Sequence, residues 1–245
     1  MKKSGIIISI IASLGFIIAF VGAGYYFYLA KRAPRTVSVV GLAEKDFTSD
    51  LIVWKFDFSV KKMDIKESYS IMKKQNETVK EYLIGKGIAE KDIVFNAITN
   101  YEDYSYDWNE SARQSVRKFN GYQLTQSVRI ESKEVEKIEK ISREISELLD
   151  SNIQINANYI EYYYTKLADL KIAMLEQATL DAKKRAETIT NNAGSRLAGL
   201  KTANMGVFQI TAPNSSDDYS WGGTFNTSSK EKRASINMRL TYYVK

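Results

Sequence analysis

The stretch DAKKRAETITNNAGSRLAGL, Asp181 to Leu200, decides how the longest helix of this chain must pack. Together with Ala178 just before it, its alanines Ala182 and Ala186 lie four residues apart, which places them on one face of a helix. The charged residues between the alanines point to other sides. Gly194 follows as a residue that can take the left-handed conformation at a helix C-terminus. We interpret the stretch as a surface for close packing, and not as a catalytic or binding site.

The basic excess of the chain is confined to its N-terminus. The formal charge is +6, from 35 basic and 29 acidic residues in 245. Five of the basic residues precede residue 36, where no acidic residue occurs: Lys2, Lys3, Lys31, Arg32 and Arg35. The remainder is therefore almost neutral and lacks the basic surface that nucleic-acid binding requires. We expect no nucleic-acid partner.

The chain contains neither cysteine nor histidine. Their absence excludes disulfides, thiolate nucleophiles, imidazole bases and the usual zinc and haem ligands. No serine stands in a nucleophile elbow, and no glycine-rich segment has the spacing of a phosphate-binding loop. We therefore expect a protein that is not an enzyme, with no catalytic residues, no cofactor and no bound metal.

An apolar segment near the N-terminus predicts a membrane anchor. Ile6 to Leu29 contains no charge, and as a helix it would extend ~36 Å, enough to cross a hydrocarbon core of ~30 Å. The flanking tyrosines and basic residues favour a retained transmembrane helix that contacts the lipid bilayer through residues 6–29. The alternative is an export signal cleaved after Val21-Gly22-Ala23, which would release a periplasmic or secreted protein. We predict an anchor and short tether over residues 1–35 and one domain over residues 36–245.

The patterns beyond the anchor indicate an α+β fold with a mainly antiparallel sheet and about three packed helices. Leu51 to Val60 alternates large and polar residues as a strand does, and Asp64 with Glu67 marks a helix start. Ser132 is the expected N-cap of a second helix. From Leu51 to Tyr164 the order is strand, helix, strand, strand, helix, strand, the split βαβ pattern. A helix over about residues 166–193, a strand near 200–210 and a final strand follow.

Two polar segments rich in aromatic residues, loops 101–118 and 212–229, are the candidate contact sites. The first carries Tyr104, Tyr106 and Trp108, and the second carries Tyr219 and Trp221. Exposed tyrosine and tryptophan combine a large contact area with a hydrogen-bond donor, as sugar-binding and protein-binding surfaces require. If both loops lie at one end of the sheet, they form a single surface. The acidic residues of the first loop lack the spacing of a calcium loop, so no metal site is expected there.

Three segments resemble the SIMPL-domain family of bacterial envelope proteins. They are ATLDAKKRAETITNNAGSRLAGL, VSVVGLAEKDFTSD at residues 37–50 and FNGYQLTQSVRI at residues 119–130. The chain departs from the family at Ser49-Asp50, where Pro-Asp is common. The resemblance implies a domain held outside the cytoplasmic membrane, with the N-terminus inside. It also implies an assembly of several copies and a link to oxidative-stress defence, and it supplies no catalytic residues.

These observations lead to one functional expectation and one alternative. The expected protein is anchored in the inner membrane by a single pass, carries its domain outside the cytoplasm and acts through self-association or through binding of an envelope protein. The alternative is a module that recognises a glycan or a cation through the two loops.

Overall fold

The computed structural model describes residues 2–31, 35–109, 113–215 and 220–245, with side chains for all of these except 2–12, 29–31 and 109. The chain divides into two compact units. The first unit comprises residues 1–43, 175–206 and 237–245, and the second unit comprises residues 44–174 and 207–236. Tyr219, one of the candidate residues, lies outside the described residues.

The described chain contains four α-helices and ten strands. The helices are α1 (Lys2–Lys31), α2 (Ile65–Gly85), α3 (Val135–Glu144) and α4 (Leu167–Asn192). The strands are β1 (Thr36–Thr48), β2 (Leu51–Lys62), β3 (Ile93–Phe95), β4 (Thr99–Asn109), β5 (Gln114–Ser132), β6 (Ile155–Tyr163), β7 (Leu197–Met205), β8 (Gln209–Thr211), β9 (Thr224–Phe225) and β10 (Glu231–Val244). This is the α+β class that the sequence predicts, with strands that pair mainly antiparallel.

The second unit is built on a sheet with the order β3-β5-β2-β6, in which every neighbouring pair is antiparallel. The chain runs from β2 through α2 to β3, and β5 lies between these two strands. It then runs from β5 through α3 to β6, and β2 lies between those two. Each βαβ unit is thus split by a strand of the other, as the element order predicted.

One face of this sheet forms the core of the second unit. Ile52, Trp54, Phe56 and Phe58 of β2 are fully buried and pack against α2 and α3. The helices contribute Met72, Val79, Leu83, Ile138 and Ile141. The opposite face is polar and carries ion pairs such as Lys55 with Glu161 at 2.7 Å. The alternation read in the sequence over Leu51 to Val60 is therefore confirmed.

The two helix starts of the second unit differ from each other. The side chain of Asp64 accepts hydrogen bonds from the main-chain N–H groups of Lys66 and Glu67, so Asp64 is the N-cap of α2 as predicted. The prediction of Ser132 as the N-cap of α3 is wrong. Ser132 ends β5, and its hydroxyl accepts from the N–H of Glu134, which occupies the cap position.

The first unit brings β1 and β10 under helix α4. Ala178, Ala182 and Ala186 are completely buried, which confirms the packing role of the alanine stripe. A Cβ atom added at Gly41 of β1 would lie 2.2 Å from the carbonyl oxygen of Ala178 and 2.5 Å from the nitrogen of Ala182. Strand and helix therefore meet main chain to main chain. Gly194 has a φ of 68°, the left-handed conformation expected after α4.

Two segments that the sequence analysis describes as loops contain regular strands. Residues 101–109 and 114–118 belong to the hairpin of β4 and β5, in which the two strands continue to pair with each other beyond the core. Within 212–229, β9 pairs in parallel with β8. The strand expected near 200–210 is two strands, β7 and β8, interrupted after Met205, where the N–H of Gly206 donates to the carbonyl of Asn237 at 2.8 Å.

Helix α1 contains the apolar segment of the N-terminus. The side chains described in it, Ser13 to Tyr28, are all exposed. Among the residues whose side chains are described, no helix is both long and apolar enough to cross a membrane.

Lys232 of β10 is a fully buried cation. Its ammonium group donates to the main-chain carbonyls of Asn226 at 2.5 Å and Ser229 at 2.7 Å, and so holds the segment before β10. Burial lowers the pKa of Lys232 from its ordinary 10.5 to about 8. In this position the charged form is disfavoured, since carbonyl dipoles replace water only in part.

We expect Gly41→Ala to destabilise the protein by about 1 to 3 kcal/mol, because the new methyl group would have to push β1 away from α4. Urea unfolding of the full chain measures this change. Gly199→Ala is the matched control, because nothing lies within 4 Å of a Cβ atom at Gly199 of β7. A Gly41→Ala variant as stable as Gly199→Ala would contradict the contact.

Stability should rise as the pH increases from 7.5 to 9.5. Burial lowers the pKa of Lys232 in the folded chain to about 8, so between pH 8 and 10.5 the unfolded chain binds more protons than the folded chain. The free energy of unfolding therefore increases as the pH rises through this range. The contribution of Lys232 is on the order of 1 kcal/mol over this interval. Urea midpoints at the two pH values measure it. In Lys232→Met the increase should be smaller by that amount, and an unchanged pH dependence would contradict the assignment.

Candidate functional site

The hairpin of β4 and β5 extends past the neighbouring strand. Strand β2 ends at Lys62, which pairs with Tyr122 of β5. From Asp103 to Asn109, β4 pairs with β5 residues that have no β2 partner. This part of the hairpin is therefore a two-stranded ribbon, and no other described strand pairs with the outer edge of β4. Residues 110–112 at its turn lie outside the described residues.

One face of the ribbon carries the three aromatic residues that the sequence singled out. Tyr104, Tyr106 and Trp108 alternate along β4, so their side chains share a face. Tyr106 is 68% exposed and Trp108 is 64% exposed. Their partners across the hairpin are Arg117 and Ser115. The sequence reading of these residues as surface aromatics agrees with their exposure, although they lie on a strand and not on a loop.

The base of this aromatic row is held in place by its neighbours. The ring of Tyr104 contacts Phe119, with centroids 5.4 Å apart, and Phe119 contacts Tyr122 at 5.2 Å. The guanidinium of Arg117 lies 3.4 Å from the centre of the Tyr104 ring. The Tyr104 hydroxyl donates to the Glu102 carboxylate, and this bond raises the pKa of Tyr104. Tyr104 is thus a support, while Tyr106 and Trp108 present their rings to the solvent.

Two of the acidic residues of β4 already have interaction partners. Glu102 accepts from Tyr104, and Asp103 forms an ion pair with Lys61 of β2. Asp107 lies on the opposite face of the ribbon from Trp108. Within the described part of the chain, no three acidic side chains are grouped as ligands of a cation. The arrangement offers aromatic contact area with acidic flanks.

The second candidate segment presents Trp221 on a tight turn. The side chain of Gln209 donates to the carbonyl of Ser220 at 2.7 Å and accepts from the N–H of Thr224 at 2.9 Å. The N–H of Gly223 closes the turn on Ser220 at 3.0 Å. Trp221 is 99% exposed at its tip. These bonds hold the main chain of the turn, and the Trp221 side chain lies in solvent.

The structure does not bring the two segments together. Phe225, four residues after Trp221, contacts the ring of Tyr163 at the end of β6, which pairs with Leu51 at the start of β2. Trp108 lies beyond the other end of β2. At about 3.3 Å per residue, β5 alone spans roughly 50 Å between the partners of these two ends. The single recognition surface considered from the sequence is not formed, and each aromatic group stands alone.

A groove that the sequence analysis missed lies beside β1 in the first unit. Its volume is about 690 Å³, and it lies between Ser38, Val39 and Val40 of β1 and the flank of α4. The helix contributes Asp181, Lys184, Arg185, Thr188 and Ile189. We interpreted these charges as a solvated face. Sequence spacing indicates only the pair of Asp181 with Arg185 at i and i+4, and says nothing about the strand beside them.

The groove is electrostatically organised around Asp181. Its carboxylate accepts the main-chain N–H of Leu42 in β1 at 2.9 Å and the Nε of Arg185 at 2.8 Å. The bond from Leu42 lowers the pKa of Asp181. Lys184 has no ion-pair partner among the described residues. The groove therefore combines an apolar floor with cationic groups on its helix side.

Comparisons with known proteins identify the family. The model of the SIMPL family, described as a protein of unknown function (DUF541), matches residues 37–239. A search of curated proteins finds no match. The match confirms the resemblance carried by the alanine stripe, the first strand and the central Gly-Tyr strand, and it spans most of the chain. The protein therefore belongs to the SIMPL family.

Proposed function

We propose that this protein is a non-catalytic domain that is anchored in the inner membrane, faces the outside of the cytoplasm and acts by self-association or by binding envelope proteins. One observation carries the proposal: within the described residues, strands β7 and β4 each pair along one edge only and expose apolar side chains. Strand β7 pairs with β10 on one side, and Leu200 and Met205 on it are 52% and 59% exposed. Strand β4 likewise pairs with β5 on one side and exposes Tyr106 and Trp108.

Open edges of this kind are templates for pairing with another chain. In the part of the chain that the structure describes, each leaves a row of main-chain N–H and C=O groups without strand partners, and natural proteins usually cover, shorten or charge such edges. Exposed apolar residues next to the edge add a favourable burial term when a partner covers them. Here the two features coincide on β7 and on β4, which favours association over an isolated monomer.

The apolar N-terminal segment supports the anchored part of the proposal. Its side chains from Ser13 to Tyr28 are exposed, and its sequence is uncharged from Ile6 to Leu29. A lipid bilayer can cover such a helix without burying unpaired main-chain polar groups, because these groups bond to each other within the helix. An anchor would also concentrate the domains in one plane, which raises the effective concentration for association. A role in oxidative-stress defence rests on the family resemblance alone.

The full chain in detergent should have a protein mass of at least twice the monomer mass of 27.9 kDa. Light scattering coupled to size exclusion measures this mass, with the detergent contribution subtracted. The shortened chain that starts at Thr36 is the control, because it tests whether the domain associates without α1. A strictly monomeric full chain that also forms no cross-links to envelope proteins in cells would contradict the proposal.

The orientation is tested separately on intact cells. A tag after Lys245 should become sensitive to protease when the outer barrier is removed and the inner membrane is left intact. Protection of the tag under these conditions, with a cytoplasmic marker protected alongside, would place the domain on the other side and contradict the proposed location.

The aromatic row of the hairpin favours a second candidate function, the recognition of a glycan. Tyr106 and Trp108 lie on one face of the ribbon, and sugar rings can stack on exposed aromatic rings of this kind. At the base of the row Tyr104 is held by its contact with Phe119. A cation is a poorer ligand for this surface, because Glu102 and Asp103 are already engaged by Tyr104 and Lys61.

We expect soluble fragments of cell-wall glycan to change the tryptophan fluorescence of the protein through Trp108. The chain has three tryptophans, of which Trp54 is fully buried and Trp221 is on a separate turn. Trp108→Ala should remove the fluorescence change and weaken binding by at least tenfold, whereas Trp221→Ala should retain both. Equal fluorescence changes of the two variants, or no fluorescence change of the unmodified protein, would contradict glycan recognition by Trp108.

A further inference from the structure

We propose that one end of the first unit binds the phosphate groups of anionic lipids in the membrane that holds α1. This end, here called the basic end, comprises residues 35–40, 193–204 and 239–245. The contact rests on the proposed membrane anchor, but it is made by the folded domain and not by the apolar helix.

Three strand ends meet at the basic end. The N–H of Val244, the last residue of β10, donates to the carbonyl of Arg35, directly before β1, at 2.9 Å. Lys245 and Arg196 exchange two main-chain hydrogen bonds of 2.9 Å each, so the residue after β10 lies beside the residue before β7. Main-chain bonds therefore tie together three segments that are distant in the sequence.

The basic end is cationic throughout. Its three segments contain five basic residues and no acidic residue. All five are exposed: Arg35, Arg196, Lys201, Arg239 and Lys245. Within the described part of the chain, none of the five has an ion-pair partner. Glu187, the last acidic residue of α4, is already paired with Lys183 at 3.8 Å. A domain that is almost neutral on average therefore has one strongly basic end.

The length of the tether keeps the basic end close to the bilayer. Helix α1 ends at Lys31, and Arg35 follows four residues later, a separation of at most ~14 Å even for a fully extended chain. The uncharged segment ends at Leu29, so with α1 in the bilayer Lys31 lies at the level of the headgroups. Arg196 and Lys245 belong to the same end as Arg35, which brings their side chains near the headgroup phosphates.

An anionic lipid surface matches these cations. Headgroup phosphates present negative charge over an extended plane, and the attraction acts on lysine and arginine within about one Debye length of it. The five cations are distributed over three strands, which suits a plane of charge better than a single small anion. Tyr243 lies among them, with the Nζ of Lys201 5.8 Å from the centre of its ring. Tyrosine is a residue that membrane interfaces favour.

The test uses a dye attached to the basic end of the full chain. The chain has no cysteine, so Gly199→Cys creates one labelling point. Nothing lies within 4 Å of a Cβ atom at Gly199, which is exposed between Arg196 and Lys201. The labelled chain is placed in lipid nanodiscs that contain a fixed fraction of lipids with a nitroxide on the headgroup, which quench a dye only at short range.

We expect about twofold more quenching in discs rich in phosphatidylglycerol than in discs of phosphatidylcholine, because the anionic headgroups draw the basic end onto the surface. Raising the salt concentration from about 0.05 M to about 0.5 M should remove the difference, since the charges are exposed and are screened.

A charge-reversed variant identifies the residues responsible. Arg196→Glu, Lys201→Glu and Lys245→Glu together should lower the quenching in phosphatidylglycerol discs to the level seen in phosphatidylcholine. The charge-preserving set Arg196→Lys, Lys201→Arg and Lys245→Arg should keep the difference, because a charged plane requires cations and no particular donor geometry. Circular dichroism checks that both variants are folded.

The matched control reverses three exposed lysines of α2 in the second unit: Lys66→Glu, Lys73→Glu and Lys74→Glu. It changes the net charge of the chain by the same amount as the charge-reversed variant. The dye at the basic end should respond to phosphatidylglycerol in this control as it does in the unmodified labelled chain.

The outcomes separate the lipid contact from the proposed anchor. If the labelled chain enters the discs but is quenched equally in both lipids, or if the α2 control loses the difference as well, the basic end does not bind headgroup phosphates and the anchor stands. If the chain does not enter the discs, both the anchor and the lipid contact are wrong.

Discussion

The close approach of the Gly41 main chain to helix α4 is the constraint on which the first unit depends. A helix normally stands off a sheet by the width of the side chains between them. Here three alanines on the helix and a glycine on the strand remove that layer at one point. The helix can then lie low over β1 and β10, and its flank residues reach the level of the strand edge.

The lowered helix explains why a charged residue of α4 can bind the main chain of β1. Asp181 accepts the N–H of Leu42 at 2.9 Å, a distance that a helix standing on larger side chains would not allow. The same geometry creates the groove along the remaining edge. A packing device thus has a consequence beyond stability, since it determines which part of the β1 edge is closed by Asp181 and which part stays open at Ser38 and Val40.

The second unit follows a different principle, in which large side chains fill the space between sheet and helices. Trp54, Phe56 and Phe58 form a conventional buried layer against α2 and α3. This layer ends at Lys62, but the hairpin of β4 and β5 continues without it. Beyond that point the two strands pair with each other and are supported by the ring contacts of Tyr104 and Phe119, and aromatic side chains nearer the turn are exposed. Tyr106 and Trp108 are in this position.

Sequence patterns predicted those parts of the fold in which one face of an element is buried. The alternation of β2 and the stripe of α4 are predictable because burial imposes a period on the residues, whereas the N-cap at Asp64 is predictable from the local spacing of Asp64 and Glu67. The prediction of a loop at β4 is wrong, because Tyr104, Tyr106 and Trp108 alternate with polar residues as in a strand, while the polar and acidic composition of the segment is typical of a loop. Ser132 failed as a cap because the ladder of β5 continues through it, a competition that local spacing does not reveal.

The α+β class, the split order of strands and helices and the exclusion of thiol and imidazole chemistry follow from composition and short-range periodicity, both of which can be read along the chain. Membership of the SIMPL family is indicated by the resemblance of three segments and confirmed by the family match. The positions of the two aromatic segments at opposite ends of a sheet, and the bond from Asp181 to the edge of β1, are visible in the folded protein alone. Such contacts join residues separated by more than a hundred positions, and their geometry follows from packing and strand register, which no local pattern contains.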